Sequence, residues 1–218
     1  MFLQTVRSPR SFNFWRRLQR TLMVRTVKAQ THPSAPGTAS CLQIPLPSER
    51  ETRALGGALA RCARIGDVFL LRGELGSGKT VVARGFLQTF HRDPLLEVTS
   101  PTYLLDLPYP DLEGNALLPH ATVHHLDLYR VGNAADRSIV DFEHIFRECI
   151  SLIEWPERLS EWLLPPHHLE VWLRFVPDDE TGRTAELVGS ASGGRAEGEV
   201  RWTQTELEQL CNLLRVNE

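Results

Sequence analysis

The stretch Gly73-Glu74-Leu75-Gly76-Ser77-Gly78-Lys79-Thr80 fits G-x-x-x-x-G-K-[ST] and narrows the possible folds more than any other feature of the chain. Before it runs Asp67-Val68-Phe69-Leu70-Leu71-Arg72, an apolar run of buried-strand length. After it, Val82, Phe86 and Phe90 recur at helical spacing. Strand, glycine-rich turn and helix is the arrangement that holding a phosphate chain requires. The glycines let successive backbone N–H groups turn toward one anion, and the positive end of the helix dipole reinforces them. Glu74, Leu75, Gly76, Ser77 and Gly78 form the cradle in this reading. Lys79 reaches the β- and γ-phosphates, and the Thr80 hydroxyl faces Mg²⁺. The bland alternative, a glycine-rich turn with an incidental lysine, leaves the flanking strand and helix unexplained.

A chain of 218 residues suffices for one globular domain with tails. An apolar content of 42% allows a packed core, and a net charge of −3 supplies no global pull toward nucleic acid or an anionic membrane. No stretch approaches the roughly 20 apolar residues of a membrane span. Cys41, Cys62, Cys149 and Cys211 are far apart without a C-x-x-C pair, which suggests neither zinc nor a redox couple. They read as thiols of a reducing compartment.

The charge is unevenly spread. Met1 to Ser48 holds no Asp or Glu but carries Arg7, Arg10, Arg16, Arg17, Arg20, Arg25 and Lys28. Phe12, Trp15, Leu18 and Leu22 fall on one face of a possible helix. A basic, serine-containing, amphipathic stretch of this kind has the profile of an organellar transit peptide. Residues 1–40 are therefore expected to be leader and linker, and 41–218 the folded domain. Plastid and mitochondrion fit equally. A plain basic tail, or a true start at Met23 or later, would leave the protein in the cytoplasm.

Along the folded part, Cys41 to Leu46 reads as a first, edge strand, and Ser48 with Glu51 as a helix-capping box ahead of Leu55, Leu59 and Cys62. Glu97 to Thr99 and Tyr103 to Leu107 are strand candidates, and proline-rich Pro108 to Pro119 a loop. Ala121 to Leu128 alternates so that Val123, His125 and Asp127 share a side. Asn133 to Arg147 reads as helix, Cys149 to Ile153 as a buried strand and Glu157 to Leu163 as a short helix. Leu169, Val171, Leu173 and Phe175 alternate with polar residues. Thr184 to Val188 and Glu199 to Thr203 follow as antiparallel strands around a Gly/Ser-rich loop at Gly189 to Gly198. A last helix carries Leu207, Leu210 and Leu214 on one face. The fold expected is α/β, a three-layer P-loop sandwich with a mostly parallel central sheet and antiparallel additions near the C-terminus.

Two strands end in a carboxylate, Asp127 and Glu154. In open α/β sheets ligands lie beyond the carboxyl ends of the strands, so both acids share a crevice with Lys79 and Thr80. With Thr80 they form the candidate Mg²⁺ ligands, as hard oxygen donors. Strand-end acids are also common as solvated caps. His120, His124 and His125 invite a metal reading, but adjacent strand residues point to opposite faces and do not share an ion.

The phosphate loop, then Ser100-Pro101-Thr102-Tyr103, then His125-Leu126-Asp127-Leu128-Tyr129-Arg130, then Glu154-Trp155-Pro156 occur in this order in the TsaE (YjeE) family, which the chain resembles from about Leu42 to Phe175. These are bacterial-type P-loop ATPases required for N6-threonylcarbamoyladenosine in tRNA. The resemblance implies ATP in the loop and a switch-like Ser100–Tyr103 segment with Thr102 near the γ-phosphate. It also implies Asp127 and Glu154 at the metal and hydrolysis site, with Trp155 near the nucleotide. Lys79, Thr102, Asp127 and Glu154 are then the candidate catalytic set. The implied partners are TsaD-like and TsaB-like proteins, with tRNA reached only through them and no membrane. The chain departs from the family pattern in its long N-terminus, in Val81 where a second Thr is frequent, and in Asp136 to Glu148. A small-molecule P-loop kinase and a non-catalytic nucleotide sensor are the rival functions. No basic, aromatic-interleaved patch argues for direct tRNA contact.

Overall fold

The computed structural model describes residues 25–26, 41–131, 140–189 and 201–215. The rest of the expected leader, residues 133–139 of the expected helix and the Gly/Ser-rich loop after Gly189 lie outside them. In chain order the elements are β1 (Arg25–Thr26), β2 (Cys41–Leu46), α1 (Glu49–Cys62), β3 (Val68–Arg72), α2 (Lys79–Phe90), β4 (Asp106–Pro110), β5 (Thr122–Asp127), α3 (Phe142–Glu148), β6 (Ile150–Glu154), β7 (Leu169–Val176), β8 (Asp179–Gly189) and α4 (Gln204–Arg215).

All the strands join one sheet in the order β1-β2-β8-β7-β3-β6-β5-β4. The centre, β7-β3-β6-β5, is parallel. Antiparallel pairs flank it on both sides, not only toward the C-terminus: β4 with β5 on one, β7 with β8 and β8 with β2 on the other. The central strands are buried on both faces, hence their unbroken apolar runs. In β3, Phe69 and Leu71 face one core while Val68 and Leu70 face the other. The larger core lies under α1, α2 and α4, where Phe69 meets Phe86 and Trp202, each at 5.3 Å between ring centres. Truncating such a ring to alanine costs about 3–5 kcal/mol. The second core packs Phe142, Leu159 and short 3₁₀ turns against the other face. Helices α1 and α2 meet backbone to backbone: a Cβ on Gly85 would lie 2.0 Å from the Arg53 carbonyl.

Several elements differ from expectation, each for a local reason. Glu97–Thr99 forms no strand, because the Val98 carbonyl is taken by the Arg84 guanidinium instead of a ladder. The next strand starts at Asp106 and runs through Pro108 and Pro110. Among the described strands it neighbours β5 alone, and an outer strand tolerates residues without an N–H. Strand β2 is not the last strand, since Arg25 and Thr26 pair with Gln43 and Leu42. The expected helix over Asn133–Arg147 is described only from Phe142, and Glu157–Leu163 is two 3₁₀ turns, Pro156–Arg158 and Glu161–Leu163. Arg201 to Thr203 is loop rather than strand. Strand β7 keeps its register with β8 through Phe175, opposite Arg183, but Phe175 lies past Leu173, the last buried residue of that face, and is 42% exposed; the register shifts only after it.

Candidate functional site

Strand β3 delivers the chain to Gly73, whose φ of +138° and position 2.4 Å, Cβ to oxygen, from the Leu173 carbonyl exclude any side chain. Gly78, at φ +105°, turns the backbone into the first residue of α2. Helix α2 therefore starts at Lys79, with its first N–H groups at the mouth of the turn. Glu74, Leu75 and Gly76 are exposed, so their share in any ligand contact is backbone; Ser77 is buried behind the turn. The Lys79 ammonium donates to the carbonyls of Gly73 and Glu74, both at 2.8 Å, and lies 3.9 Å from the Trp155 ring centre. Two of its three donors are thus spent on aiming it. Burial pushes its pKa below the ordinary lysine value, while Glu154, Glu157 and Asp127 pull it back up.

Asp127 and Glu154 are register partners at the ends of β5 and β6. Both are nearly inaccessible, at 2% and 3%. Glu154 Oε1 accepts from the Thr80 hydroxyl at 2.8 Å and from His125 Nε2 at 3.0 Å. Asp127 Oδ2 collects the hydroxyls of Ser100 and Thr102, and Oδ1 the Tyr129 N–H at 3.0 Å. Among the described residues neither acid has a lysine or arginine ion pair. After Glu154 the chain reverses through Trp155 in the left-handed region (φ 58°), a conformation worth on the order of 1–3 kcal/mol of strain. That turn lays the indole over Lys79, with Tyr129 at 4.9 Å. A cavity of about 470 Å³ opens between Leu75, Lys79, Thr102, Tyr129, Glu154 and Trp155.

The structure thus brings together Glu74–Thr80, Thr102, Asp127, Glu154 and Trp155. It adds Ser100, Tyr129 and His125. The role of His125 lay hidden in the sequence, although the alternation placed it beside Asp127; what was missing was the β5–β6 register that sets it against Glu154. His124 points the other way and pairs with Asp106 at 2.9 Å, so the histidines share no ion. No group of three or more His, Cys, Asp and Glu able to hold a metal occurs among the described residues. A small hard cation does fit Thr80 and Glu154 when phosphate oxygens and water complete its shell.

The family model for "Threonylcarbamoyl adenosine biosynthesis protein TsaE" matches residues 46–185, which span the loop, both acids and the β7–β8 hairpin. The chain belongs to the TsaE family. The family acts in the biosynthesis of threonylcarbamoyl adenosine. A Bacillus subtilis protein named tRNA threonylcarbamoyladenosine biosynthesis protein TsaE is 31% identical over 140 residues, 64% of this chain and 82% of that protein. A Rickettsia bellii protein of the same name is 33% identical over 138 residues, 63% of this chain and 90% of its own. The crystal structure of Bacillus subtilis YdiB superposes with a TM-score of 0.56 over 84% of this chain and 99% of its own, at 23% identity, a likeness of fold. The TsaE core thus carries the whole candidate site. No helix among the described residues is long and apolar enough to cross a membrane.

Proposed function

We propose that this TsaE chain binds ATP with Mg²⁺ and hydrolyses it slowly. Turnover depends on a complex with TsaD-like and TsaB-like proteins that installs N6-threonylcarbamoyladenosine in tRNA. The observation that carries the reading is the convergence of Lys79, Thr80, Thr102, Asp127 and Glu154 on one cavity, with two buried carboxylates that no guanidinium or ammonium among the described residues neutralises by direct pairing.

The backbone of Glu74 to Gly78 cradles the phosphates, and Lys79 faces the β- and γ-groups. Thr80 and Glu154, with Asp127 beside them, would hold the Mg²⁺, which would offset charge on the phosphates. Glu154 keeps its orientation through His125. Asp127 ties Ser100 and Thr102 to the end of β5, so a change at the γ-phosphate registers in the 100–103 segment. That segment is also where Tyr103 and Leu104 stand exposed, offering the partner a surface that responds to the nucleotide. Contact with tRNA runs through the partners.

The test is the lifetime of the assembled complex in ATP and in a non-hydrolysable analogue, for the native chain and for Lys79→Ala. ATP shortens the lifetime for the native chain, and neither the analogue nor Lys79→Ala does so. Equal lifetimes throughout, with tRNA modification intact, would reduce the chain to a nucleotide sensor.

A further inference from the structure

The β7–β8 hairpin reaches the phosphate loop from the side opposite the two acids. Its strand β7 touches the start of the loop, where the Leu173 carbonyl lies against Gly73. Its strand β8 touches the middle, where Arg183 Nη2 donates to the Gly76 carbonyl at 3.5 Å. The same guanidinium is fixed on three other sides. Nη1 donates to the carbonyls of Glu180 at 2.8 Å and Gly182 at 2.9 Å. The Phe175 ring lies 4.3 Å from Cζ. The hairpin end that holds these groups is itself closed by Asp179, which accepts from the N–H groups of Thr181 at 3.0 Å and Gly182 at 2.8 Å. Phe175 and Arg183 are direct register partners across the two strands, and that pairing provides Arg183 with its platform.

We propose that Arg183, stacked on Phe175, is a positioning residue for the phosphate loop. It acts through Gly76 and has no contact with the ligand of its own. The argument is geometric. A peptide unit is planar, so fixing the Gly76 carbonyl fixes the direction of the Ser77 N–H on the other side of the same plane. That N–H is already turned inward, toward the Glu74 carbonyl at 3.2 Å. The Gly76–Ser77 unit is thus gripped at both ends, where the turn passes from exposed Gly76 to buried Ser77. A loop ordered before its ligand arrives does not lose that freedom on binding, and the saving appears as affinity. Lysine does not substitute, since its single nitrogen cannot span from Glu180 and Gly182, held by Nη1, to Gly76, held by Nη2, as the planar fork does.

This inference rests on reading the loop as a nucleotide site, but its test does not depend on that reading alone. Hydrogen–deuterium exchange of the nucleotide-free full chain is compared for native protein, Arg183→Ala, Arg183→Lys, Phe175→Ala and Phe175→Tyr, with thermal melts alongside. ADP affinity is then read from Trp155 fluorescence. Arg183→Ala speeds exchange in peptides covering 73–80 about tenfold, the size of one charge-assisted hydrogen bond, and weakens ADP by a similar factor. Its melting temperature stays that of the native chain. Phe175→Ala goes the same way, Phe175→Tyr behaves as native and Arg183→Lys does not rescue. Unchanged loop exchange in Arg183→Ala overturns the proposal; joined to a loss of ADP affinity, it makes Arg183 a direct phosphate contact instead. Native protein that fails to take ADP at all removes the nucleotide reading, and the exchange data still decide the brace.

Discussion

At the start of β3, Asp67 is clasped by Arg201 with two parallel bonds, 3.0 Å to Oδ1 and 2.8 Å to Oδ2, and takes the Arg64 N–H at 2.8 Å. Arg201 also reaches Glu206 and the Cys62 carbonyl. At the far ends of β5 and β6, Asp127 and Glu154 are as deeply buried, yet their partners are hydroxyls, a backbone N–H and a histidine. The first cluster is matched in charge and geometry. Burial alone would lower the arginine's pKa, but its bonds to Asp67 and Glu206 raise it instead. The second cluster is satisfied in hydrogen bonds but not in charge. Burying a carboxylate without a paired cation is unfavourable, and on the proposed function that imbalance is what a cation arriving with the nucleotide would offset. Two buried acid clusters in one sheet thus serve opposite ends: one closes the structure, the other stays open to chemistry.

The same acid-to-amide change separates them. Glu154→Gln keeps the shape and the acceptor for Thr80 and His125. Partner-stimulated ATP turnover falls roughly 10²–10⁴-fold, the range for loss of a reacting acid or base. The melting temperature holds or rises, because a buried charge is gone. A large drop in melting temperature here would erase the distinction. Asp67→Asn does the reverse. It leaves Arg201 buried and underpaired, costing about 3–5 kcal/mol in urea unfolding, while turnover per folded molecule stays near native. The smallest effect is in pH. Burial pushes the Glu206 carboxyl upward, but the Thr203 N–H and Arg201 outweigh it, so its folded pKa lies below the ordinary carboxylate value. Its contribution to stability is therefore complete above that ordinary value and fades as pH falls through the depressed one. Unfolding midpoints for native protein and Glu206→Gln converge in that acid window and separate toward neutrality; parallel curves would place the charge of Glu206 outside the clasp.

How much of this the sequence disclosed follows from how local each feature is. The phosphate loop is eight consecutive residues, and Asp127 and Glu154 each close a recognisable strand, so their convergence was legible. The Asp67–Arg201 clasp joins positions 134 residues apart, and Arg201 sat inside what looked like a strand from Glu199 to Thr203. Nothing in its neighbourhood announces the partner. Pro108 and Pro110 resembled a loop because proline removes a ladder donor, a loss that an outer strand does not feel. Phe175 continued an inward alternation by periodicity, and only its place near the hairpin end, past the last buried residue Leu173, leaves it exposed.

The neighbours of β3 also carry a consequence for the order in which the protein is made. The strand that presents the phosphate loop pairs with Ser151–Glu154 and Leu169–Trp172, and with no strand earlier than these. A ribosome has therefore released about seventy residues beyond the loop before even the first of these ladders can close. Until then the loop has its glycines but no sheet edge to stand on. Nascent chains halted before β6 should fail to retain nucleotide even though the complete Gly73–Thr80 stretch is already outside the exit tunnel. Binding then switches on late in translation, when the second half of the chain supplies the frame.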